Sequence, residues 1–216
     1  MKKTLNKTKI ADFATYIGVV IAFIVMNALM NEGLLTRSMK GQLVPICCYI
    51  VMAVSLNLTV GILGELSLGH AGFMSVGAFT GVVTAMSLQS AIPSDGVRLA
   101  LAIVMGAIFA GIAGTLVGIP VLRLHGDYLA IVTLAFGEII KELINCLIIG
   151  HDENGLHIIF NATGAKTVTD LGLTETGKVL IKGAQGATGT DTIASFTAGF
   201  ILIMVTLVVV LNLARS

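Results

Sequence analysis

Glu65, Ser67 and His70 place a carboxylate, a hydroxyl and an imidazole within six residues, the three group types that nucleophilic enzymes combine. A catalytic triad is defined by geometry, and adjacency on one short segment does not supply that geometry. The three residues sit instead in Gly61-Ile62-Leu63-Gly64-Glu65-Leu66-Ser67-Leu68-Gly69-His70-Ala71-Gly72-Phe73, a glycine-punctuated stretch between two long apolar runs. In a bilayer, backbone that leaves helical geometry is tolerated only where protein buries it or where it lines a watery cavity. Two compatible readings follow. Glu65, Ser67 and His70 satisfy backbone groups freed by a helix break, or they line a pathway together with Gly64, Gly69 and Gly72.

A second polar group lies further along. Glu138, Lys141 and Glu142 interrupt an apolar run at offsets of three and four, which places them on one helix face. Charges at membrane depth cost at least about 2.5 kcal/mol on insertion scales, so they should face a bundle interior or a cavity. An ion pair that only fixes packing, a place for Glu138 in a substrate path or gate, and an interfacial position all satisfy this rule. Arg123 and Asp127 are four residues apart at a predicted membrane edge, where they can reach water or each other.

Other patterns carry less. Gly172-Leu173-Thr174-Glu175-Thr176-Gly177-Lys178-Val179 has the spacing of a phosphate-binding loop up to its lysine. Val179 stands where Ser or Thr should bind magnesium, and no apolar strand leads into Gly172, so nucleotide binding is rejected. His151, Asp152, Glu153 and His157 match no strong metal-ligand template and read as a solvated loop. Cys47, Cys48 and Cys146 lie in apolar runs without a Cys-x-x-Cys spacing and read as small hydrophobes. Asn161-Ala162-Thr163 has the glycosylation pattern, which indicates only exposure. No metal site or cofactor is expected on this chain.

The elements that must hold these residues are membrane helices. The chain is 56% hydrophobic and 12% charged, which removes it from ordinary soluble domains. A net charge of +1 with dispersed basic residues gives no argument for nucleic acid; the implied partner is the lipid bilayer. Several apolar stretches approach the ~20 residues that cross a hydrocarbon core. We expect an all-α, polytopic transmembrane bundle of about six spans, with a broken or re-entrant segment near 61–72. The predicted spans are 12–30, 43–63, 71–89, 97–122, 127–149 and 193–213, with Pro45 near the start of the second, where a missing N–H costs least. Residues 93–96 form a turn, and the polar, Gly- and Thr-rich residues 150–191 form a loop within a single domain covering 1–216.

Lys2, Lys3, Lys7 and Lys9 precede the first span and should hold that end in the cytoplasm. The run from Phe13 to Met30 is longer than the apolar region of a signal peptide, and no Ala-x-Ala-like cleavage site follows it. Alternation then puts Arg123, His125 and Arg215 inside and residues 150–191 outside; Arg37, Lys40 and Arg98 also fall outside and weaken the bias. Gly106, Ala110, Gly114 and Gly118 recur every fourth residue, as do Gly77, Gly81 and Ala85. Such rows let helices approach closely, either within one bundle or at a subunit interface.

Residues 66–73 and Leu122-Arg123-Leu124-His125-Gly126-Asp127-Tyr128-Leu129-Ala130-Ile131-Val132-Thr133-Leu134-Ala135-Phe136-Gly137-Glu138-Ile139-Ile140 together resemble the signatures of permease subunits in branched-chain amino acid ABC importers. The second stretch is nearest the M-type branch, with His125 standing where a basic or small polar residue is usual, and the resemblance runs from the second span to the fifth. It implies a bacterial inner-membrane permease that moves Leu, Ile or Val and is not itself an enzyme. It also implies a homologous second permease subunit, two ATPase subunits that use ATP, and an extracytoplasmic binding protein. Related permeases take urea, short amides or other amino acids, and a membrane assembly protein without transport is the reading from a different class. The chain stops at Ser216, where the family's cytoplasmic coupling loop and further spans follow. The resemblance thus implies the N-terminal part of a permease, one that inserts in membranes without holding its ATPases or supporting uptake.

Overall fold

Thr36 shows how the chain sets its helix starts. Its hydroxyl accepts the backbone N–H of Met39 at 3.4 Å, capping a helix that begins at Arg37. The computed structural model describes residues 2–65, 67–121, 123–124, 126–153, 155–161, 168–174, 177–188 and 190–214, with side chains from 13 onward except 63. The side chains of Lys2, Lys3, Lys7 and Lys9, and the whole of Leu66, Leu122, His125, Ala162, Thr163, Glu175, Thr176 and Arg215, lie outside the described residues.

Among these residues the helices are α1 (Lys2–Asn31), α2 (Arg37–Asn57), α3 (His70–Ser87), α4 (Asp95–Val121), α5 (Asp127–Asn145) and α6 (Phe196–Leu213). A small sheet of β1 (Leu147–Asp152), β2 (Gly155–Phe160) and β3 (Lys178–Lys182) lies between α5 and α6 in sequence. Four stretches are long and apolar enough to cross a membrane by length and composition: 13–31, 37–62, 95–121 and 196–213. The protein is a polytopic helical membrane protein. The other two helices are α3, which carries Gly77 and Gly81, and α5, which carries Glu138, Lys141 and Glu142.

Two compact units result. The first comprises residues 1–63 and 194–216. Its α2 and α6 meet at Cys47, Ile203 and Leu207, with Tyr16, Val19, Val51 and Val54 packed around them. A side chain at Gly199 would stand 2.8 Å from Cys47 Cβ, so the helices touch where α6 has none. Phe23 of α1 stacks on Phe200 at 4.1 Å and on Phe196 at 5.3 Å. Cys47 is thus the small core hydrophobe expected of it; Cys48 is exposed and Cys146 half-buried. Pro45 does not sit near a helix start as expected, because Thr36 caps α2 nine residues ahead of it. The helix continues from Asn57 as a π-turn over Leu58–Leu63.

The second unit is residues 64–193. Its described residues from 64 to 69 are non-helical, Gly64 has φ +71°, and α3 opens at His70, so the chain does leave helical geometry within the expected stretch. Only glycine takes that φ without strain. α3 and α4 form an antiparallel pair in which Gly77 faces Gly106 and Gly81 faces Ala102, their missing side chains letting backbone approach backbone. The rows therefore pack within the chain here, whereas Gly114 and Gly118 have open space beside them. Arg98 closes the start of α4: it is 6% exposed and its guanidinium reaches the Asp95 carboxylate at 2.7 Å.

The fifth helix stops four residues short of the predicted end. Leu147, Ile148 and Ile149 form the central strand instead, in the order β2-β1-β3 with both pairings antiparallel. A short β-branched apolar run reads equally as helix or strand from periodicity, and burial decides it. Ile148 and Ile149 are buried, and Ile149 packs with Leu180, Ile181 and Met86. Residues 150–191, expected as a polar loop, thus contain a folded sheet anchored on the end of α3.

Candidate functional site

The site is built where α3 and α5 come together. The Leu68 N–H donates to the Thr133 hydroxyl at 3.1 Å, and that hydroxyl donates to the Ala130 carbonyl at 3.0 Å, so one side chain of α5 holds the segment entering α3. A Cβ on Gly69 would run into the Thr133 carbonyl. One on Gly72 would stand 3.1 Å from Gly137 Cα and 3.3 Å from Ile140 Cδ1. Gly69 and Gly72 are therefore needed for this approach, whereas a Cβ on Gly137 would stand 3.5 Å from Gly69 Cα, an ordinary contact.

Beside that contact the helices leave a cleft of about 430 Å³, closed at one end by the turn at residues 183–186. Its polar groups are Ser75, Glu138, Lys141 and Asn145, and its apolar walls are Leu68, Phe79, Leu134 and Ile144. Lys141 Nζ donates to Glu138 Oε2 at 2.8 Å, with the two side chains 60% and 58% exposed. The Ser75 hydroxyl donates to the Gly72 carbonyl at 2.6 Å. Gly183 has φ +51°, and a Cβ there would stand 2.5 Å from the Asn145 carbonyl, so only glycine lets this turn rest on the end of α5.

Of the residues expected to form a pathway, Gly72 and Glu138 line this cleft. Gly69 is buried against α5 just outside it. His70, Glu65 and Ser67 are half-buried and Gly64 is exposed, and none of these four contributes to the wall. Sequence reasoning missed Thr133, Ser75, Asn145 and Gly183. Thr133 did carry a signal, since it is the sole polar side chain from Leu129 to Phe136. Gly183 carried none, because its partner Asn145 lies 38 residues away.

The remaining candidates resolve into structure. His157 Nε2 lies 3.1 Å from Asp152 Oδ1, and the Asp152 side chain is fully buried. Its other oxygen accepts the Thr174 N–H at 3.4 Å. His151 and His157 thus belong to a folded hairpin instead of a solvated loop, with His151 Nδ1 3.1 Å from the Gly155 carbonyl oxygen. Among the described residues no three His, Cys, Asp or Glu side chains cluster as metal ligands. Lys178 of the rejected phosphate-loop pattern opens strand β3, where such a loop would open a helix.

Comparison with known proteins agrees with this architecture. Residues 38–216 match the family model of the branched-chain amino acid transport system / permease component. Over 100 residues the chain is 41% identical to the high-affinity branched-chain amino acid transport system permease protein LivM of Escherichia coli (strain K12). It is equally similar to the protein of that name from Salmonella typhimurium (strain LT2). The matched stretch is 44% of this chain and spans 21% of each relative. No solved structure matches. With a family match over more than four fifths of its length, the chain belongs to the permease components of branched-chain amino acid transport systems.

Proposed function

We propose that this protein is a permease subunit of an ABC importer and passes Leu, Ile or Val across the bacterial cytoplasmic membrane. The observation that carries the reading is the cleft: the two polar-bearing helices of the second unit line it with an exposed charged pair beside apolar walls, inside a chain of that family. Intramembrane ionisable groups mark substrate paths when they face a cavity, since lipid would not tolerate them. Energy comes from ATP hydrolysed by two partner ATPases. A second, homologous permease completes the channel, and an extracytoplasmic binding protein delivers the ligand. This chain supplies no catalytic group.

In the proposed orientation the N-terminus is cytoplasmic and the sheet faces outward. Glu138 lies seven residues before the end of α5, about 10 Å at 1.5 Å per residue, so the cleft opens in the outer half of the membrane. Thr169 is exposed. In a background without Cys47, Cys48 and Cys146, Thr169→Cys should react with an impermeant thiol reagent in intact cells. Labelling only after permeabilisation would overturn the orientation. The function itself is tested by reconstituting a full permease that carries residues 1–216 with its ATPases and binding protein and following labelled leucine and urea. Leucine uptake dependent on ATP is expected; urea uptake without leucine uptake would reassign the substrate.

A further inference from the structure

We propose that the groove between α5 and β2 binds a phospholipid whose headgroup carries a primary ammonium. One acyl chain lies in the groove, and the ammonium donates to the Glu142 carboxylate. This site adjoins the cleft described above only at Glu138, and it does not depend on which solute the permease carries.

The groove has a volume of about 350 Å³. Its walls are Ile139, Leu143 and Cys146 of α5 and Phe160 of β2, and its charged residues are Glu138 and Glu142. Ile139, Leu143 and Phe160 are each close to half exposed. The Asn161 N–H donates to the Cys146 carbonyl at 2.7 Å, which ties the end of β2 to the end of α5 and sets Phe160 beside the last turns of the helix. Strand alternation turns Ile158, itself exposed, to the same side as Phe160. The bare apolar surface of α5 therefore runs on without a break into the sheet.

Size selects a chain one carbon wide. An α-helix with its side chains is roughly 10–12 Å across, so this volume would hold only about 3–4 Å of one, less than a single turn. A partner helix does not seat in such a groove; an acyl chain does. Depth agrees. α5 has 19 residues, about 28 Å at 1.5 Å per residue, against the ~30 Å of a hydrocarbon core. Crossing the bilayer thus brings each end of α5 close to a headgroup layer. Glu142 lies three residues before the end of α5 and Ile139 a further three inward. A carboxylate therefore stands at headgroup level above apolar side chains at acyl-chain level.

Charge selects the head. Both charged residues of the groove are carboxylates, and Lys141, which donates to Glu138 at 2.8 Å, is not part of its wall. Glu142 is exposed, and among the described residues no cation comes within ion-pairing distance of it. A primary ammonium brings both the opposite charge and N–H donors to that carboxylate. A trimethylammonium head brings the charge without the donors. An anionic head would face two carboxylates of its own sign.

The test is photolabelling of a full permease that carries residues 1–216, in bilayers containing phosphatidylethanolamine with a photoreactive acyl chain, with the adducts mapped by mass spectrometry. Adducts are expected within residues 139–146 and on Phe160. Unlabelled phosphatidylethanolamine should displace them about threefold better than phosphatidylcholine or phosphatidylglycerol, the scale of one solvent-reached ion pair. α4 carries no charged residue from Leu99 to Val121, so adducts at its exposed Leu116 should show no headgroup order. Glu142→Gln should abolish the order at the groove, and Glu142→Lys should turn it toward phosphatidylglycerol. Labelling at Leu116 should stay as in the wild type in both variants, which reports an intact fold. The wild-type displacement series needs no variant, so a misfolded mutant cannot decide the outcome. Equal displacement by the three lipids, or an order that survives both substitutions, would overturn the site. Adducts at Leu116 with none in the groove would also overturn it, showing that protein covers this face.

Discussion

α3 meets its two neighbours in contrasting ways. Along α4 it runs antiparallel with Gly77 on Gly106 and Gly81 on Ala102, backbone against backbone, leaving little room between them. Along α5 the close approach is confined to Gly69, Gly72 and Gly137, and beside it the helices part around a cleft. Glycine serves both contacts, but for different ends. In the first it lets two helices close a seam without any hydrophobic drive from the lipid. In the second it pins one point so that the space beside it keeps a fixed width.

The contrast can be broken from either side. The largest effect should come from Gly106→Val, whose Cβ would stand 2.6 Å from the Gly77 carbonyl oxygen, with backbone and no flexible side chain in the way. We expect destabilisation of about 1–3 kcal/mol or more in detergent-based thermal unfolding. Gly114→Val, with no neighbour within 4 Å, should be close to neutral. Equal losses for the two would mean that the seam does not carry the α3–α4 contact.

Next in size is Gly69→Val, which drives a side chain into the Thr133 carbonyl and should reduce uptake well below that of Gly77→Ala. The latter adds a methyl 3.3 Å from the Gly106 carbonyl oxygen, a contact that a shift of a few tenths of an ångström relieves. Similar, negligible effects of both would deny the α3–α5 contact any special standing. Glu138→Leu should follow, impairing transport or assembly because Lys141 loses the oxygen it binds at 2.8 Å. Glu138→Gln keeps an acceptor and should be milder; wild-type uptake in Glu138→Leu would make the residue a surface ornament. The smallest change is Thr133→Val, which removes the acceptor for the Leu68 N–H and should cost about 1 kcal/mol. Faster amide exchange at Leu68, with the cleft otherwise intact, would be its signature.

The sequence made some of this plain and hid the rest for physical reasons. The long apolar runs, the glycine-rich break before His70 and the charged face of α5 are local patterns, and each appears where its pattern lies. The row Gly77, Gly81, Ala85 was equally legible, although its partner helix was not named by it. The first half of strand β1 reads as helix from the sequence because Leu147, Ile148 and Ile149 extend an apolar run without a turn residue, and only pairing with β2 and β3 settles their state. The cleft was half visible. Glu138 stood out as a charge among apolar neighbours, while Ser75, Asn145 and Gly183 have roles that exist only once α3, α5 and the 183–186 turn are assembled. Glu65 and His70 drew notice by residue type, yet the cleft is built from their neighbours Leu68 and Gly72.

The seam between α3 and α4 has a consequence for how the protein is made. Its partners are close in sequence, 29 residues apart for Gly77 and Gly106 and 21 for Gly81 and Ala102. The α3–α5 contact joins residues 65 apart, Leu68 and Thr133, and requires all of α4 to be synthesised first. Contacts between residues near in sequence carry the smaller loop-closure cost and form sooner. The helical hairpin should therefore assemble as a unit during synthesis, offering α5 a finished surface to dock on. Substitutions in the seam would then act on the nascent chain, lowering the amount of protein that reaches the membrane, whereas substitutions around the cleft would alter a protein already delivered there.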